Sequence, residues 1–297
     1  MPGYLGAGMT IERPRVLQKA ETLDCPACCR ATPQRFLYAK NGCDILKCEE
    51  CGLGRSQASE FDPAAYYTKD YFSGAHADGY GDYLGSEPVL RREFARTVDV
   101  IRRYRASGRL IELGCAYGFF LQEARRFFDV AGIELADDAA AHCRRAGLTV
   151  ATGVADAGTL ARFAPLDVVV LLDVIEHLPD PRATLALAAQ HLNPGGIVAI
   201  TTGDFASLHA RVAGPRWRLM TPPQHLWFFT PESIRRLASV LGLRLELLEH
   251  PAKLVPLSLI AFQLRRMFGL RGGAAKAGSL GLPVNLFDAM RVVLRKP

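Results

Sequence analysis

The sequence predicts an α/β protein in which a parallel sheet carries helices on both faces and a small zinc ribbon precedes it. The first observation is an alternation, from residue 109 onwards, of short apolar runs with stretches of helical period, which is typical of repeated β–α–β units. The second is a pair of C-x-x-C motifs spaced as in a four-thiolate zinc site. We therefore divide the chain into a zinc ribbon at 20–56, a linker or cap at 57–87 and an α/β domain at 88–297.

The strands of the predicted sheet share a continuous apolar character, because parallel strands are covered on both faces. We predict strands at 110–113, 130–134, 148–152, 168–172, 197–201, 243–248 and 289–294. Apolar residues at helical period predict helices at 88–105, 119–127, 136–146, 182–192 and 231–241. In such a sheet ligands bind beyond the carboxyl ends of the strands, so binding residues are expected there.

The zinc ribbon is predicted from Cys25, Cys28, Cys48 and Cys51, which form two pairs separated by residues 29–47. Short strands at 36–38 and 44–47 complete a hairpin between the two cysteine knuckles. Four thiolates close the coordination shell of zinc and leave no position for an activated water, so the metal is expected to be structural. Reduced thiols or a redox pair are the alternatives, and Cys29 and Cys43 are left out because neither belongs to a C-x-x-C pair.

Composition and charge restrict the classes of partner. The chain has 297 residues and a net charge of +6, which favours acidic partners only mildly. The N-terminus lacks a charged region followed by an apolar stretch, and no run reaches the roughly 20 apolar residues of a membrane span. We therefore expect a cytoplasmic protein without a transmembrane segment, and we consider nucleic acid an unlikely partner.

A ligand turn follows the first strand of the α/β domain, where the sequence reads Ile-Glu-Leu-Gly-Cys-Ala-Tyr-Gly over 111–118. Glycines allow backbone N–H groups to approach a ligand at a helix N-terminus. Glu112 precedes the turn and would repel a pyrophosphate, whereas it would attract the ammonium group of a methionine moiety. Glu134 ends the second strand, where a carboxylate can accept hydrogen bonds from both hydroxyls of a ribose.

These motifs resemble class I S-adenosylmethionine-dependent methyltransferases, in the branch with an N-terminal zinc ribbon. The resemblance covers about residues 20–297 and rests on the segments 112–118, 173–179, 192–196 and 222–230 together with Glu134. It implies a seven-stranded Rossmann-like sheet with S-adenosylmethionine as cofactor and S-adenosylhomocysteine as product. The residues that it assigns to cofactor binding are Glu112, Gly114, Ala116, Gly118, Glu134, Asp173 and Val174. Ala116 is a departure, since many members have glycine there, and we expect the turn to tolerate the added methyl.

Two histidines are candidate catalytic residues. Methyl transfer to oxygen or nitrogen often requires proton removal, and histidine titrates in the suitable range. His225 lies in the loop after the fifth strand and His177 lies just after the fourth, so both can face the carboxyl edge. The alternative for His225 is a buried histidine bonded to backbone, and the alternative for His177 is helix capping. An amphipathic run at 254–268 is expected to form a cap helix, with peripheral membrane contact as the alternative.

The function hypothesis is methylation of a small or medium metabolite, such as a sugar unit or another secondary-metabolite scaffold, at oxygen, nitrogen or carbon. A small-molecule or glycan-type acceptor would be the partner. An RNA methyltransferase is an alternative, although the sequence lacks an Asn-Pro-Pro-Tyr-like motif and a basic patch interleaved with aromatic residues. A non-catalytic protein that binds S-adenosylmethionine is the third possibility.

Overall fold

The structure is a computed structural model that describes residues 21–57, 82–261 and 280–297. Its strands are β1 (Glu21–Cys25), β2 (Arg30–Lys40), β3 (Cys43–Cys48), β4 (Gly54–Gln57), β5 (Arg109–Leu113), β6 (Asp129–Glu134), β7 (Thr149–Thr152), β8 (Leu166–Leu172), β9 (Leu192–Gly203), β10 (Trp227–Phe228), β11 (Arg244–Glu249), β12 (Lys253–Pro256), β13 (Gly281–Val284) and β14 (Ala289–Arg295). Its helices are α1 (Glu87–Tyr104), α2 (Phe119–Ala124), α3 (Asp137–Arg145), α4 (Ala157–Ala161), α5 (Pro181–His191), α6 (Leu208–Ala213) and α7 (Pro231–Val240).

A seven-stranded sheet forms the centre of the α/β domain, in the order β11-β14-β9-β8-β5-β6-β7. All seven strands predicted from the sequence are present. β7, β6, β5, β8 and β9 are mutually parallel, but β14 is antiparallel to both of its neighbours, β9 and β11. The sheet is therefore mixed. The chain leaves β11 and enters β14 at the same end of the strands, which makes these two strands antiparallel, whereas a parallel pair would require a crossover to the other end.

Helices cover both faces of this sheet, as the apolar runs predicted. One core cluster joins α1, α2 and α3 to the sheet through side chains such as Ile101, Phe120 and Ala140. The other joins α5 and α7 through side chains such as Leu185 and Leu237. The intervening strand β8 is buried along almost its whole length, as expected for a central strand between two helix layers.

Helix starts are fixed by local sequence signals. The Asp180 carboxylate accepts a hydrogen bond from the N–H of Ala183 at the start of α5. Thr230 and Ser233 form a reciprocal capping box at the start of α7, and a proline occupies the first turn of both helices. Side chains that cap orphan N–H groups stabilise a helix by about 1 kcal/mol each. The carboxyl edge between the strands and these helices is thereby held in place.

The ribbon is a four-stranded antiparallel sheet, β1-β2-β3-β4, which is extended by β10 from the α/β domain. The predicted hairpin strands lie within β2 and β3, which are longer than the sequence suggested. Cys25, Cys48 and Cys51 belong to the same core cluster as the central strands β5 and β8. The ribbon therefore packs as part of the α/β core and shares a sheet with it.

The segment predicted as a cap helix at 254–268 differs in its first residues. Residues 254–256 belong to β12, which pairs with β13, and helical geometry begins only at 257. A cross-strand partner overrides the helical period there. Residues 262–268, and residues 58–81 of the predicted linker or cap, lie outside the described residues. Among the described residues, no helix has the length and apolar character needed to cross a membrane.

Truncation of a central strand tests this core. Leu171 on β8 is fully buried, and Leu171→Ala is expected to lower the free energy of unfolding by about 2–5 kcal/mol because it leaves a cavity. Val154→Ala is the control, since its side chain is 61% exposed and its effect should stay within about 0.5 kcal/mol. Urea unfolding followed by circular dichroism measures both, and an unchanged midpoint for Leu171→Ala would contradict the placement.

Candidate active site

The site lies at the carboxyl edge of the sheet, where the turn after β5 leads into α2. Three residues of this turn have positive φ: Gly114 at +70°, Ala116 at +45° and Gly118 at +76°. Gly118 is also the N-cap residue that immediately precedes α2. The N–H groups of the turn are largely bonded within the protein: those of Gly114 and Cys115 donate to the Ile133 carbonyl, that of Ala116 to Glu134 and that of Gly118 to the Cys115 carbonyl. The predicted contact of N–H groups with a ligand does not extend to these four. Ala116 adopts the left-handed conformation despite its methyl group.

Both glycines of the turn are in close contact with neighbouring side chains. A Cβ atom at Gly114 would lie 2.8 Å from Val174 Cγ2, and one at Gly118 would lie 2.6 Å from Leu148 Cδ1. Distances under 3.0 Å are too short for real Cβ contacts. The structure therefore brings Val174 against the turn, and both positions require glycine for steric as well as conformational reasons.

Glu112 on β5 is buried, with 3% of its surface exposed. Its Oε2 atom has no hydrogen-bond partner within the part of the chain that the structure describes. Burial, followed by the charges of Cys143 and Glu134, raises the pKa of Glu112 well above its usual value. A buried carboxylate without a partner is costly, and a cation placed beside it would offset that cost. Glu112 is thus a buried acid whose charged form a nearby cation would stabilise.

Glu134 ends β6 and orients its carboxylate through two backbone donors. Its Oε2 accepts a hydrogen bond from the N–H of Ala116 at 2.7 Å, and its Oε1 accepts one from Ala136 at 2.8 Å. Each carboxylate oxygen can accept a further bond, so the pair can still receive two hydroxyl groups. The first of these bonds also fixes Glu134 relative to the turn after β5.

Asp173 follows β8 with a φ of +56°. Its Oδ1 accepts a hydrogen bond from the Thr201 hydroxyl at 2.9 Å, and its carboxylate forms an ion pair with Lys253 at 2.8 Å. Sequence reasoning missed Lys253, which lies 80 residues away along the chain and carries no local motif. Asp173 is thus at the expected strand end, with its charge balanced by a lysine from β12.

His177 and His225 are brought together. Their ring centroids are 4.6 Å apart, with the planes at 76°. His177 Nδ1 donates to the carbonyl oxygen of Gln224 at 2.8 Å, which identifies the Nδ1–H tautomer. Burial, followed by the proximity of His177, lowers the pKa of His225 well below its usual value. Burial also lowers the pKa of His177, so both imidazoles are neutral near pH 7.

Glu176 joins this pair. The ligand atoms of Glu176, His177 and His225 all lie within 4.8 Å of one another. Burial, with the charge of Asp173 as the next cause, raises the pKa of Glu176 to about 8, and the Thr202 hydroxyl lies 2.9 Å from its Oε2. A carboxyl group that is mostly protonated at neutral pH beside two neutral imidazoles forms a cluster able to accept and pass on a proton.

The four predicted metal ligands also converge. The Sγ atoms of Cys25, Cys28, Cys48 and Cys51 all lie within 4.8 Å of one another. Cys25 and Cys51 are 3.5 Å apart, and Cys28 and Cys48 are 3.9 Å apart. This donor set suits a tetrahedral zinc ion. Cys29 is exposed and bonded to Arg182, and Cys43 donates to the carbonyl of Asn41, so neither belongs to the group.

A second polar cluster near the carboxyl edge escaped sequence reasoning. Asp288 is buried, and its carboxylate binds Arg218 through two hydrogen bonds of 2.9 and 3.0 Å. Trp217 Nε1 donates to the same carboxylate at 2.9 Å, and His209 Nδ1 lies 3.0 Å from it. No sequence spacing relates these residues, because Asp288 comes from the segment before β14.

Comparisons with known proteins agree with this architecture. A sequence model of the family described as methyltransferase domain matches residues 88–248. The ubiquinone biosynthesis O-methyltransferase of Methylococcus capsulatus is 32% identical over 138 residues, which are 43% of this chain and 58% of that protein. The protein of the same name from Caulobacter vibrioides is 32% identical over 139 residues, covering 42% and 55%. The chain thus spans little more than half the length of these curated relatives.

One solved structure supports the fold. The crystal structure of a S-adenosylmethionine-dependent methyltransferase from Archaeoglobus fulgidus superimposes with a TM-score of 0.50 and 17% sequence identity. The match covers 79% of this chain and 100% of that chain. At this identity the likeness concerns the fold, namely the seven-stranded sheet with its covering helices.

A glycine substitution tests the turn after β5. Gly114→Ala forces a Cβ against Val174 at a φ of +70°, and we expect it to weaken the binding of S-adenosylhomocysteine at least tenfold, or about 1.4 kcal/mol. Gly195→Ala is the matched control, because Gly195 has a φ of +74° and open space around its Cβ position. Calorimetric titration measures both variants, and an unchanged affinity for Gly114→Ala would refute the assignment.

Proposed function

The chain belongs to the methyltransferase-domain family, and on that premise we propose that it transfers the methyl group of S-adenosylmethionine to a hydroxyl group of a small or medium organic acceptor. The observation that carries the cofactor assignment is the buried Glu112 carboxylate with an unpartnered Oε2. When bound, S-adenosylmethionine supplies an electrophilic methyl group on a sulfonium centre. The residues of the chain bind that nucleoside, orient the acceptor and move its proton.

The cofactor pocket is proposed to consist of the turn after β5 and the ends of β6 and β8. Glu112 would bind the ammonium group of the methionine moiety, and the turn formed by Gly114, Ala116 and Gly118 would border it. Glu134 would accept the ribose hydroxyls. This role of Glu134 is supported by its carboxylate, in which each oxygen is oriented by one backbone N–H group and can accept a further hydrogen bond.

Two further residues complete the pocket in this proposal. Val174 packs against Gly114 and would form the wall beneath the methionine moiety. Asp173 would border the cofactor at the end of β8, where its ion pair with Lys253 gives it a nearly balanced charge. A neutralised carboxylate there would not compete with Glu112 for the ammonium group.

His225 is proposed to remove the proton from the acceptor hydroxyl, with His177 as the supporting residue. The lowered pKa of His225 keeps its imidazole neutral, which is the form that accepts a proton. His177 is fixed by its bond to the Gln224 carbonyl and packs edge-on against His225. Glu176, which is mostly protonated at neutral pH, adds no full negative charge beside an oxygen that becomes more anionic as its proton leaves.

The acceptor is proposed to carry hydroxyl groups, as in a sugar unit, a glycan or a phenolic secondary metabolite. A general base is needed for oxygen, and the two curated relatives are named O-methyltransferases. The described residues offer no feature that favours RNA over such acceptors. A protein that binds the cofactor without turnover would lack a use for the neutral His177 and His225 pair, and the experiment on His225 below separates this alternative.

The ribbon is proposed to hold one structural zinc ion through Cys25, Cys28, Cys48 and Cys51. Their convergence within 4.8 Å supports a closed four-thiolate site, which stabilises structure and leaves no open position for chemistry. Since three of these cysteines lie in the shared core, the metal would stabilise the α/β domain as well as the ribbon.

Replacement of the proposed base is the central test. We expect His225→Ala to lower kcat by about 10²–10⁴-fold, the usual contribution of general base catalysis, while the affinity for S-adenosylhomocysteine stays unchanged. The probes are S-adenosylmethionine with a panel of catechols and sugars, with methylated product detected by mass spectrometry. Because the pKa of His225 lies well below 6.5, the acidic limb of the kcat profile should fall below pH 6.5. His191→Ala, on α5, is the control, and full activity of His225→Ala would remove it as the base.

Metal analysis tests the zinc site. We expect about one zinc per chain in the purified protein. Cys48→Ser should lose the metal and lower the thermal midpoint, because structural zinc contributes directly to folding. Cys29→Ser should retain both metal and midpoint, since Cys29 lies outside the four-sulfur group. A full zinc content in Cys48→Ser, equal to that of Cys29→Ser and the parent protein, would show that Cys48 is not a ligand.

A further inference from the structure

The last strand of the ribbon is bonded directly to the loop that carries His225. β4 pairs with β10 in antiparallel register, with Gly54 opposite Phe228 and Arg55 opposite Trp227. β10 begins two positions after His225 in the sequence. The ribbon sheet thus continues into the candidate active site through main-chain hydrogen bonds.

Ser56 makes two hydrogen bonds beside the histidine. Its backbone N–H donates to the carbonyl of Leu226 at 2.9 Å, and its hydroxyl donates to the carbonyl of His225 itself at 3.0 Å. Ser56 is 9% exposed, so these bonds are shielded from water. A single ribbon residue therefore binds the carbonyl groups of two consecutive residues in the loop that carries His225.

The opposite side of the same loop is held by the turn at Ile175–His177. The N–H of Leu226 donates to the carbonyl of Glu176 at 2.9 Å, and His177 Nδ1 donates to the carbonyl of Gln224. The loop is therefore clamped between the ribbon on one side and the second proposed catalytic histidine on the other. A displacement of the ribbon strand would move His225 relative to His177.

The contact extends over the whole loop. Asn41, at the β2–β3 hairpin, donates to the carbonyl of Pro222 at 2.8 Å. Thr230 donates its hydroxyl to the carbonyl of Cys51 at 3.0 Å. A Cβ at Gly54 would lie 2.9 Å from Phe228 Cβ, so the two strands pack without space between them. Ribbon residues thus bind the chain before, within and after the catalytic segment.

We propose that Ser56 is a positioning residue for His225, and that the ribbon holds this proton-accepting histidine in its orientation toward the acceptor. The inference rests on the proposed role of His225. It explains why the ribbon shares a sheet and a core cluster with the α/β domain. Misplacement of a catalytic group by about 1 Å can cost as much as 10²-fold in rate, so a small shift of this loop would reduce turnover.

Ser56→Ala separates positioning from folding. The variant removes the hydroxyl bond to His225 but keeps the backbone N–H that pairs with Leu226, so the register of β4 is retained. We expect kcat to fall about tenfold with an unchanged affinity for S-adenosylhomocysteine and an unchanged thermal midpoint within about 2–4 °C. Ser56→Thr restores the hydroxyl and should recover turnover. Gln57→Ala is the control on the same strand, because the side chain of Gln57 donates to Glu21 within the ribbon.

Nuclear magnetic resonance gives a readout that needs no acceptor. The zinc-loaded full chain, labelled with ¹⁵N-histidine and saturated with S-adenosylhomocysteine, is compared with its variants, and the His225 signal is identified by its loss in His225→Ala. Ser56→Ala should shift the His225 imidazole signals and leave those of His191 unchanged. Ser56→Thr and Gln57→Ala should match the parent protein.

The two readouts separate this inference from the proposed function. Unchanged His225 signals in Ser56→Ala would overturn the positioning role, whatever the activity. Equal shifts in Ser56→Ala and Gln57→Ala would also overturn it, since they would reflect a general loosening of β4. If His225→Ala keeps full turnover while Ser56→Ala still shifts the His225 signals, the assignment of the base fails and the structural link between Ser56 and His225 is supported.

Discussion

The burial of Glu112 is the constraint on which the arrangement of the site depends. A carboxylate oxygen that is buried inside a sheet without a hydrogen-bond partner costs about 1–3 kcal/mol or more. A cation beside the carboxylate would offset this cost. The glycines after β5 allow Val174 and Leu148 to pack directly against the turn, and Glu134 binds the turn from the neighbouring strand. Parallel strands bring these carboxyl groups to one edge of the sheet, and ligands bind at that edge in sheets of this kind.

The surroundings of His225 are built differently, from chain segments that are distant in sequence. The histidine loop has no regular structure of its own except the two residues of β10. It is ordered by the ribbon on one face and by the turn after β8 on the other. A rigid scaffold of this kind allows a loop to hold side chains in a defined geometry. The ribbon therefore contacts the segment that carries His225 through the backbone carbonyl groups of Pro222, His225 and Leu226.

Local patterns in the sequence predicted most of the sheet, and they predicted that Glu112, Gly114 and Glu134 lie together at its carboxyl edge. The seven strands are apolar runs bounded by turn residues, and Glu112 and Gly114 are close neighbours in one motif. The two-residue β10 and the pairing of β12 with β13 arise from tertiary contacts, which no period reveals. Ser56 and His225 are 169 residues apart, and Lys253 and Asp173 are 80 apart, so neither pair could be found from spacing. The reversed direction of β14 was also missed, because side-chain periodicity is the same in both directions.

The reversed strand β14 has a consequence for the order in which the chain folds. It lies between β9 and β11, although both of those strands precede it in sequence. β9 and β11 are not bonded to each other in the native sheet. The pairing of β11 with the sheet therefore requires β14, which comes later in the sequence. Pairings between residues distant in sequence form slowly, because loop-closure entropy must first be overcome. Until β14 pairs with β9, the unpaired N–H and C=O groups along β9 are open to pairing with other chains.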